Sequence, residues 1–406
     1  MSPFLLALGA LIVAGELAAF AAVRCHRRAF PWLITRRDLA PPISPEVAAA
    51  HARRSFDAEL GWCRRPGEHG SEHTELGVTT YSVDAYGRRT EPGHPGEASA
   101  PIACFGDSFT FCRLVGDGDT WPHHLSTLTG VNVANYGVGN YGLDQALLRL
   151  ERELPGLDAQ IVIMGVVPET IARVQSAWKH YFEYGNTLAF KPRFTLGADG
   201  LLLRPSVIRL PEDYLGYRRH LPALRALDPF YRRKFRRDLL GFPYLPRLAR
   251  RARRHLPILF HLTAARLRRA PDGGFRRAFD AVVAENHRLA ARLYREEAST
   301  GLLTALAGRF AEACRTAGKT PVLAVLPQPA DLAGERAPHE AFFASLPVEL
   351  TVVDLTPVFR TEPDPSALYV GGKLGPHPSP HGNRLIARTL TARVPALNAV
   401  PQRGPS

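Results

Sequence analysis

Apolar positions cluster into five short runs: Pro101 to Phe105, Val131 to Asn135, Ala159 to Val167, Pro321 to Leu326 and Leu350 to Leu355. Several end at Gly, Asn, Pro or Asp, which punctuate strands. Continuous runs of this length predict strands buried on both faces. Helix-period segments lie between some of them. Asp144 to Leu154 carries leucines at 147, 148, 150 and 154, and Leu303 to Ala317 repeats the pattern. Strands alternating with helices predict right-handed βαβ units and a doubly wound parallel sheet. No internal repeat is evident.

A longer apolar stretch precedes the sheet. Phe4 to Val23 is interrupted mainly by Glu16, and about 20 such residues cross a bilayer as a helix. Positive charge follows the stretch, at Arg24, Arg27, Arg28, Arg36 and Arg37, while Met1-Ser2-Pro3 has none. That order predicts an uncleaved anchor over 4–23 rather than a signal peptide, with the body on the cytoplasmic side. Residues 24–95 read as a lead-in closed by the Pro/Gly-rich Glu91 to Ala100. Within it, Ser82 to Gly87 predicts a strand ending in a turn. The sheet-forming domain is expected over 96–175 and 301–395, with a largely helical insertion at 176–300 and a flexible tail at 396–406.

Composition changes the picture at one place. The 406 residues are 45% hydrophobic and 22% charged, ordinary for a globular chain. Yet Leu215 to Arg269 holds sixteen Lys or Arg against Asp228 and Asp238 alone, a net +14 beside +13 for the whole chain. Aromatic and aliphatic residues interleave with these arginines, among them Phe230, Tyr231, Phe235, Phe242, Tyr244 and Phe260. A basic, apolar-faced segment in an anchored chain suits an anionic lipid surface, the alternative being a solvated face on packed helices. No recognition motif supports a specific nucleic-acid partner. The five cysteines, Cys25, Cys63, Cys104, Cys112 and Cys314, match no disulfide framework or zinc pattern, so no metal or cofactor is expected.

The candidate chemistry begins where the first strand ends. Ile102 to Phe105 runs into Gly106-Asp107-Ser108, placing a serine at the carboxyl edge of the sheet, where open α/β folds bind ligands. A serine hydroxyl becomes a useful nucleophile when a base takes its proton. His377, in His377-Pro378-Ser379-Pro380-His381-Gly382, is the candidate base, with His381 as substitute; His123 and His124 read as ordinary packed histidines. The aromatic run Trp178 to Asn186 reads either as a lid over the serine or as packing.

Gly106-Asp107-Ser108-Phe109-Thr110, Asn135-Tyr136-Gly137-Val138-Gly139-Asn140, and His377 to Gly382 together resemble the first, second and last blocks of the SGNH hydrolases, or GDSL esterases. The resemblance covers about 100–175 and 320–392. It implies a flavodoxin-like five-stranded sheet and an acyl-enzyme on Ser108 with His377 as base. It also implies an oxyanion held by the Ser108 N–H and a second donor, Gly139 or Asn140. Asp107 reads as structural. Two family features are missing. The third block, Met164 to Thr170, has Glu169 but no asparagine, leaving Asn140 or Asn186 to serve. No acid precedes His377, where Leu374 and Gly375 stand, leaving Asp364 or Asp354 as orienters. The resemblance thus predicts an anchored ester hydrolase, such as a deacetylase of a glycan or lipid-linked substrate. Its alternatives are an acyltransferase acting on a cell-envelope polysaccharide, or a catalytically weak envelope scaffold protein.

Overall fold

The structure, a computed structural model, describes residues 2–401 apart from Ala270, Val348, Lys373 and Leu374; Pro271 and Asp272 are described by backbone alone. The chain forms two compact units. One comprises Met1–Ala50, Ser176–Lys191 and Leu210–Asn286; the other comprises His51–Gln175, Pro192–Arg209 and His287–Ser406. This division differs from the boundaries read along the sequence. The first part of the lead-in joins most of the insertion, and the second part of the lead-in joins the sheet.

In the sheet-bearing unit, the five apolar runs become β1 (Ile102–Phe105), β2 (Val133–Asn135), β3 (Ile161–Val166), β4 (Thr320–Val325) and β5 (Thr351–Asp354). All are parallel, in the order β2-β1-β3-β4-β5. Ile102 stands opposite both Val133 and Ile161, and Val325 opposite both Val166 and Asp354. The order reverses between β1 and β3, the point where such sheets open a crevice at their carboxyl edge.

Side chains alternate between faces along a strand, and here both faces are buried. Ile102, Cys104, Val133, Ile161, Ile163, Val322, Ala324 and Val353 share one core with Trp121 and Leu125 of α1 (Trp121–Thr129). The same core holds Ile386, Ala387 and Leu390 of the closing helix Pro380–Arg393. The alternate residues Ala103, Phe105, Val162, Met164, Leu323 and Val325 are equally buried. Against these strands pack α2 (Leu143–Glu153) and α3 (Glu297–Thr316). Burial on two sides is why the runs lack polar alternation.

Beside the short antiparallel pairs Phe56–Asp57 with Gly61–Trp62 and Tyr369–Val370 with His377–Pro378, this unit holds two longer hairpins: His69–Thr74 with Gly77–Ser82, and Arg193–Gly197 with Gly200–Arg204. The second lies inside the segment expected to be largely helical. Arg193 and Phe194 are buried in succession and Leu201 to Leu203 are apolar in succession, so neither strand shows a period-2 signal. The chain end is also more ordered than expected: Leu397 and Val400 are buried in the sheet core, and 402–406 lie outside the described residues. All five cysteines are free.

In the other unit, the helix Pro3–Arg27 is long and apolar enough to cross a membrane, by length and composition. Its Ala19 and Val23 are buried with Phe30, Leu33, Leu240, Leu248, Ile258 and Leu262. The aromatic run is part of this unit's core. Trp178, Tyr181, Phe182 and Tyr184 are buried, and Trp178 stacks on Phe190 at 4.8 Å. Asp228 fixes the start of that run by accepting from Ser176 Oγ and the Ala177 N–H, both at 2.8 Å, and the Trp178 N–H at 3.1 Å.

Candidate active site at the end of the first strand

The residues after β1 are set by close packing. Gly106 has φ +155, and a Cβ there would lie 2.2 Å from Thr110 Oγ1 and 2.6 Å from the Gly165 carbonyl oxygen, so only glycine fits. Asp107 then caps the single turn Ser108–Phe111: its Oδ1 accepts from the Phe109 N–H at 2.8 Å. Its Oδ2 lies 3.2 Å from Arg173 Nη1. Asp107 is thus a cap and an ion-pair partner. Ser108 heads the turn, where helix geometry offers its N–H no intrahelical acceptor.

The segment after β2 is tied to this turn. Asn135 donates through Nδ2 to the Thr110 carbonyl at 2.9 Å, and its Oδ1 accepts from the Gly137 N–H at 3.0 Å. The Val138 N–H donates to the Gly106 carbonyl at 3.0 Å. A Cβ on Gly137 would sit 2.3 Å from the Phe111 nitrogen and 2.7 Å from the Thr110 carbonyl carbon, both backbone atoms. Gly137→Ala is therefore expected to destabilise the fold by about 2 kcal/mol or more, checked by urea unfolding. Gly139 and Asn140 follow these ties. The Gly139 carbonyl accepts from Trp62 Nε1 at 3.0 Å, and exposed Asn140 takes a left-handed φ of +71.

His377 arrives from the other end of the chain. It pairs with Val370 in a short antiparallel bridge just before the closing helix. Ser379 caps that helix, accepting from the Gly382 N–H at 3.1 Å and donating to the Ala367 carbonyl at 2.7 Å. Gly382 is required because a Cβ would lie 2.3 Å from the Leu368 carbonyl oxygen. This frame holds His377 Nε2 2.9 Å from Ser108 Oγ, with the imidazole against the Phe109 ring at 5.0 Å. Both residues are buried.

Burial, followed by the charge of Arg113, pulls His377 down to about 3; the Gly375 carbonyl opposes this and Arg173 adds to it. The ring is therefore neutral at neutral pH, with a free lone pair for Ser108 once Nδ1 carries the proton. Among the described residues no carboxylate orients it. Nδ1 is buried and makes no hydrogen bond of ordinary geometry among the described residues.

Neither candidate orienter reaches the ring. Asp364 is exposed and caps its own turn, accepting from Ser366 Oγ at 2.5 Å and the Ser366 N–H at 3.1 Å. Asp354 accepts from the Thr356 N–H at 2.8 Å, and its charge acts on Asp331 and His339. Short polar side chains at strand and loop ends are captured by their own backbone before they can serve a distant ring. Leu374, one of the two positions where an acid was sought, lies outside the described residues.

The remaining candidates are elsewhere. Asn186 belongs to the other unit, where its Nδ2 donates to the Glu183 carbonyl at 2.8 Å. His381 is half exposed, 3.6 Å from Glu362. His123 pairs with Glu91 at 2.6 Å, which raises its pKa, and burial with the neighbouring His123 charge lowers His124 to about 4. Glu169 lines a pocket of about 230 Å³ with His287, Tyr294, Asp331 and His339; Ser108 and His377 do not line it.

Three arginines were missed. Arg173 follows β3, three residues beyond the stretch where the sequence lacked an asparagine, and places its guanidinium beside Asp107 and the Tyr141 carbonyl. Arg113 pairs with Glu72 through Nε. Buried Arg89 donates to the Phe111, Cys112 and Val115 carbonyls, holding the loop behind Ser108. The only sequence signal was position: Arg173 stands shortly after a strand end and Arg113 shortly after the serine.

No family model matches the sequence, and neither does any curated protein. Among solved structures, the chain is similar to a protein from Desulfitobacterium hafniense DCB-2 named as a G-D-S-L family lipolytic protein. The identity is 13%, over 72% of this chain and 98% of that chain, with a TM-score of 0.31. Superposition at that level carries no weight for the chemistry, which rests on the residues themselves.

Proposed function

We propose that this chain is a membrane-anchored serine ester hydrolase of the SGNH type, with Ser108 as nucleophile and His377 as base. The supporting observation is the 2.9 Å approach of Ser108 Oγ to His377 Nε2 at the carboxyl edge of the parallel sheet. In this reading Ser108 Oγ attacks the acyl carbonyl while Nε2 takes its proton. The tetrahedral intermediate collapses, the ester C–O bond breaks, and the imidazolium protonates the departing alcohol. Water then attacks the acyl-enzyme, giving its proton to His377, and the carboxylic acid leaves as Ser108 is restored. The Ser108 N–H heads its turn as the first oxyanion donor, with Gly139 or Asn140 supplying the second.

The test is covalent labelling. A fluorophosphonate probe is expected to mark the wild type and to fail on Ser108→Ala. An unlabelled, folded wild type would remove the hydrolase reading.

A second reading, a weak catalyst retained for an envelope scaffold, is favoured by the surroundings of His377. Two guanidinium charges disfavour the imidazolium that the first step creates, and among the described residues no carboxylate bonds the ring itself. The pH profile separates the contributions. A base lowered to about 3 is already neutral well below pH 6.5. kcat/KM is therefore expected to be flat from about pH 5 to about pH 8, without the usual histidine limb. Arg113→Gln, by removing one positive charge, should move the acid limb upward. A limb near 6.5 in the wild type would contradict this account of the ring.

A further inference from the structure

We infer that the protein's membrane contact extends beyond the N-terminal helix to a basic segment of two successive helices, Phe242 to Arg269, which lies in an anionic lipid interface. This rests on the anchor reading of Pro3–Arg27, and not on the esterase chemistry.

The first observation is length. Every residue from Ser2 to Ala14 is exposed, but protein contacts begin at Gly15. Of these, Pro3 to Ala14 are helical, and twelve helical residues rise about 18 Å, short of the roughly 30 Å of bilayer hydrocarbon. A spanning helix must therefore continue through Gly15 to about Ala22, and that part already has protein on one flank.

A Cβ on Gly15 would lie 3.1 Å from Leu245, and Phe20 meets Tyr244 edge-on at 5.8 Å. The Glu16 carboxylate accepts from the Tyr244 N–H at 2.6 Å and the Leu245 N–H at 2.9 Å. These bonds satisfy a charge that would be costly in lipid. Near the helix end, His26 Nε2 lies 3.0 Å from Thr263 Oγ1. Residues 15–26 thus run alongside the Tyr244–Leu267 segment, which shares their depth.

The second observation is the outward face of that segment. Helix Ala252–Leu267 buries Ile258, Leu262 and Ala265 on one side. Leu256, Phe260 and Leu267 lie within about 40° of one another on the opposite side, at 100° per residue. Those three are 53%, 67% and 80% exposed, and Phe242, at the start of the segment, is 72% exposed. A helix apolar on both sides needs a second apolar neighbour. Charge selects which one. No acidic residue occurs from Phe242 to Arg269, while Arg250, Arg253, Arg266, Arg268 and Arg269 are exposed. Arginines rimming an apolar face fit anionic headgroups over acyl chains.

The test uses the full chain with Cys25→Ser, the other four cysteines being buried. Bimane is attached at Phe242→Cys, Phe260→Cys or Leu11→Cys, and the protein is placed in nanodiscs of brominated phosphatidylcholine with or without phosphatidylglycerol. With phosphatidylglycerol, quenching at 242 and 260 is expected within about twofold of that at 11. Arg250→Glu/Arg253→Glu should reduce quenching at 260 only in the anionic discs. Strong quenching at 11 with none at 242 and 260 overturns the inference, as does disulfide pairing of two Phe242→Cys copies without quenching. No quenching at 11 overturns the anchor itself, and esterase labelling is independent of every arm. Quenching equal in both lipids and indifferent to the arginines removes the anionic partner.

Discussion

Ser108→Ala is expected to lower turnover of an aryl acetate by about 10⁴-fold or more, because loss of a nucleophile leaves only oxyanion binding and positioning. His377→Ala should cause a comparable fall, and the double variant should lose little more, since the two act as one unit. Ser108 packs in a turn capped by Asp107, so alanine leaves the fold in place. Steady-state kinetics with a thermal melt of each variant checks this. A folded Ser108→Ala that retains a tenth of the activity would mean that another group carries the reaction. Additivity of the two losses would mean that the 2.9 Å contact is not the working pair.

The second large effect concerns stability. Asp238→Asn is expected to destabilise the unit containing the N-terminal helix by about 3–5 kcal/mol, because it breaks a buried ion network rather than a surface pair. Asp238 lies 3.1 Å from Lys234 Nζ and 2.6 Å from Arg251 Nε, accepts from Tyr184 at 2.5 Å, and is 3.4 Å from Arg254 Nε. Glu285 shares the same three cations. Burial alone would raise the Asp238 carboxyl; Lys234, Arg254 and Arg251 overcome it and hold it well below the usual range. Glu285 is lowered by the same balance.

A carboxylate whose folded pKa is depressed contributes fully above its unfolded value, near 4, and loses that contribution as pH falls toward the folded value. Stability of the wild type is therefore expected to drop from about pH 5 downward, and less steeply in Asp238→Asn. Urea midpoints at pH 7, 5 and 4 measure both statements. A variant as stable as wild type at pH 7 would show that the cations find other partners.

The sheet was legible because its strands are buried on both sides. Ile161 to Val166 needs an apolar residue at every position, and only a parallel strand or a buried helix imposes that. The serine and histidine were legible because both stand at element ends where glycine spacing is forced: Gly106 by Thr110 and the Gly165 carbonyl, Gly382 by the Leu368 carbonyl. The orienting groups were not. Asp354 and Asp364 were reasonable acids by proximity in sequence, but each is bound to backbone two residues on. Arg113 and Arg173 carry no motif; their effect on His377 comes from folding three distant segments together.

The sequence alone determined the strand set, the serine at the first strand end, the histidine before the last helix, and an apolar stretch of membrane-spanning length. These are local: periodicity, steric demand for glycine, and composition over about 20 residues. Tertiary structure decided that the basic insertion and the N-terminal helix form one unit, and that the aromatic run is its core. It also decided that His377 sits among arginines instead of beside a carboxylate. Each of these depends on which distant charges and faces meet once the chain closes, and spacing along the chain does not encode that distance.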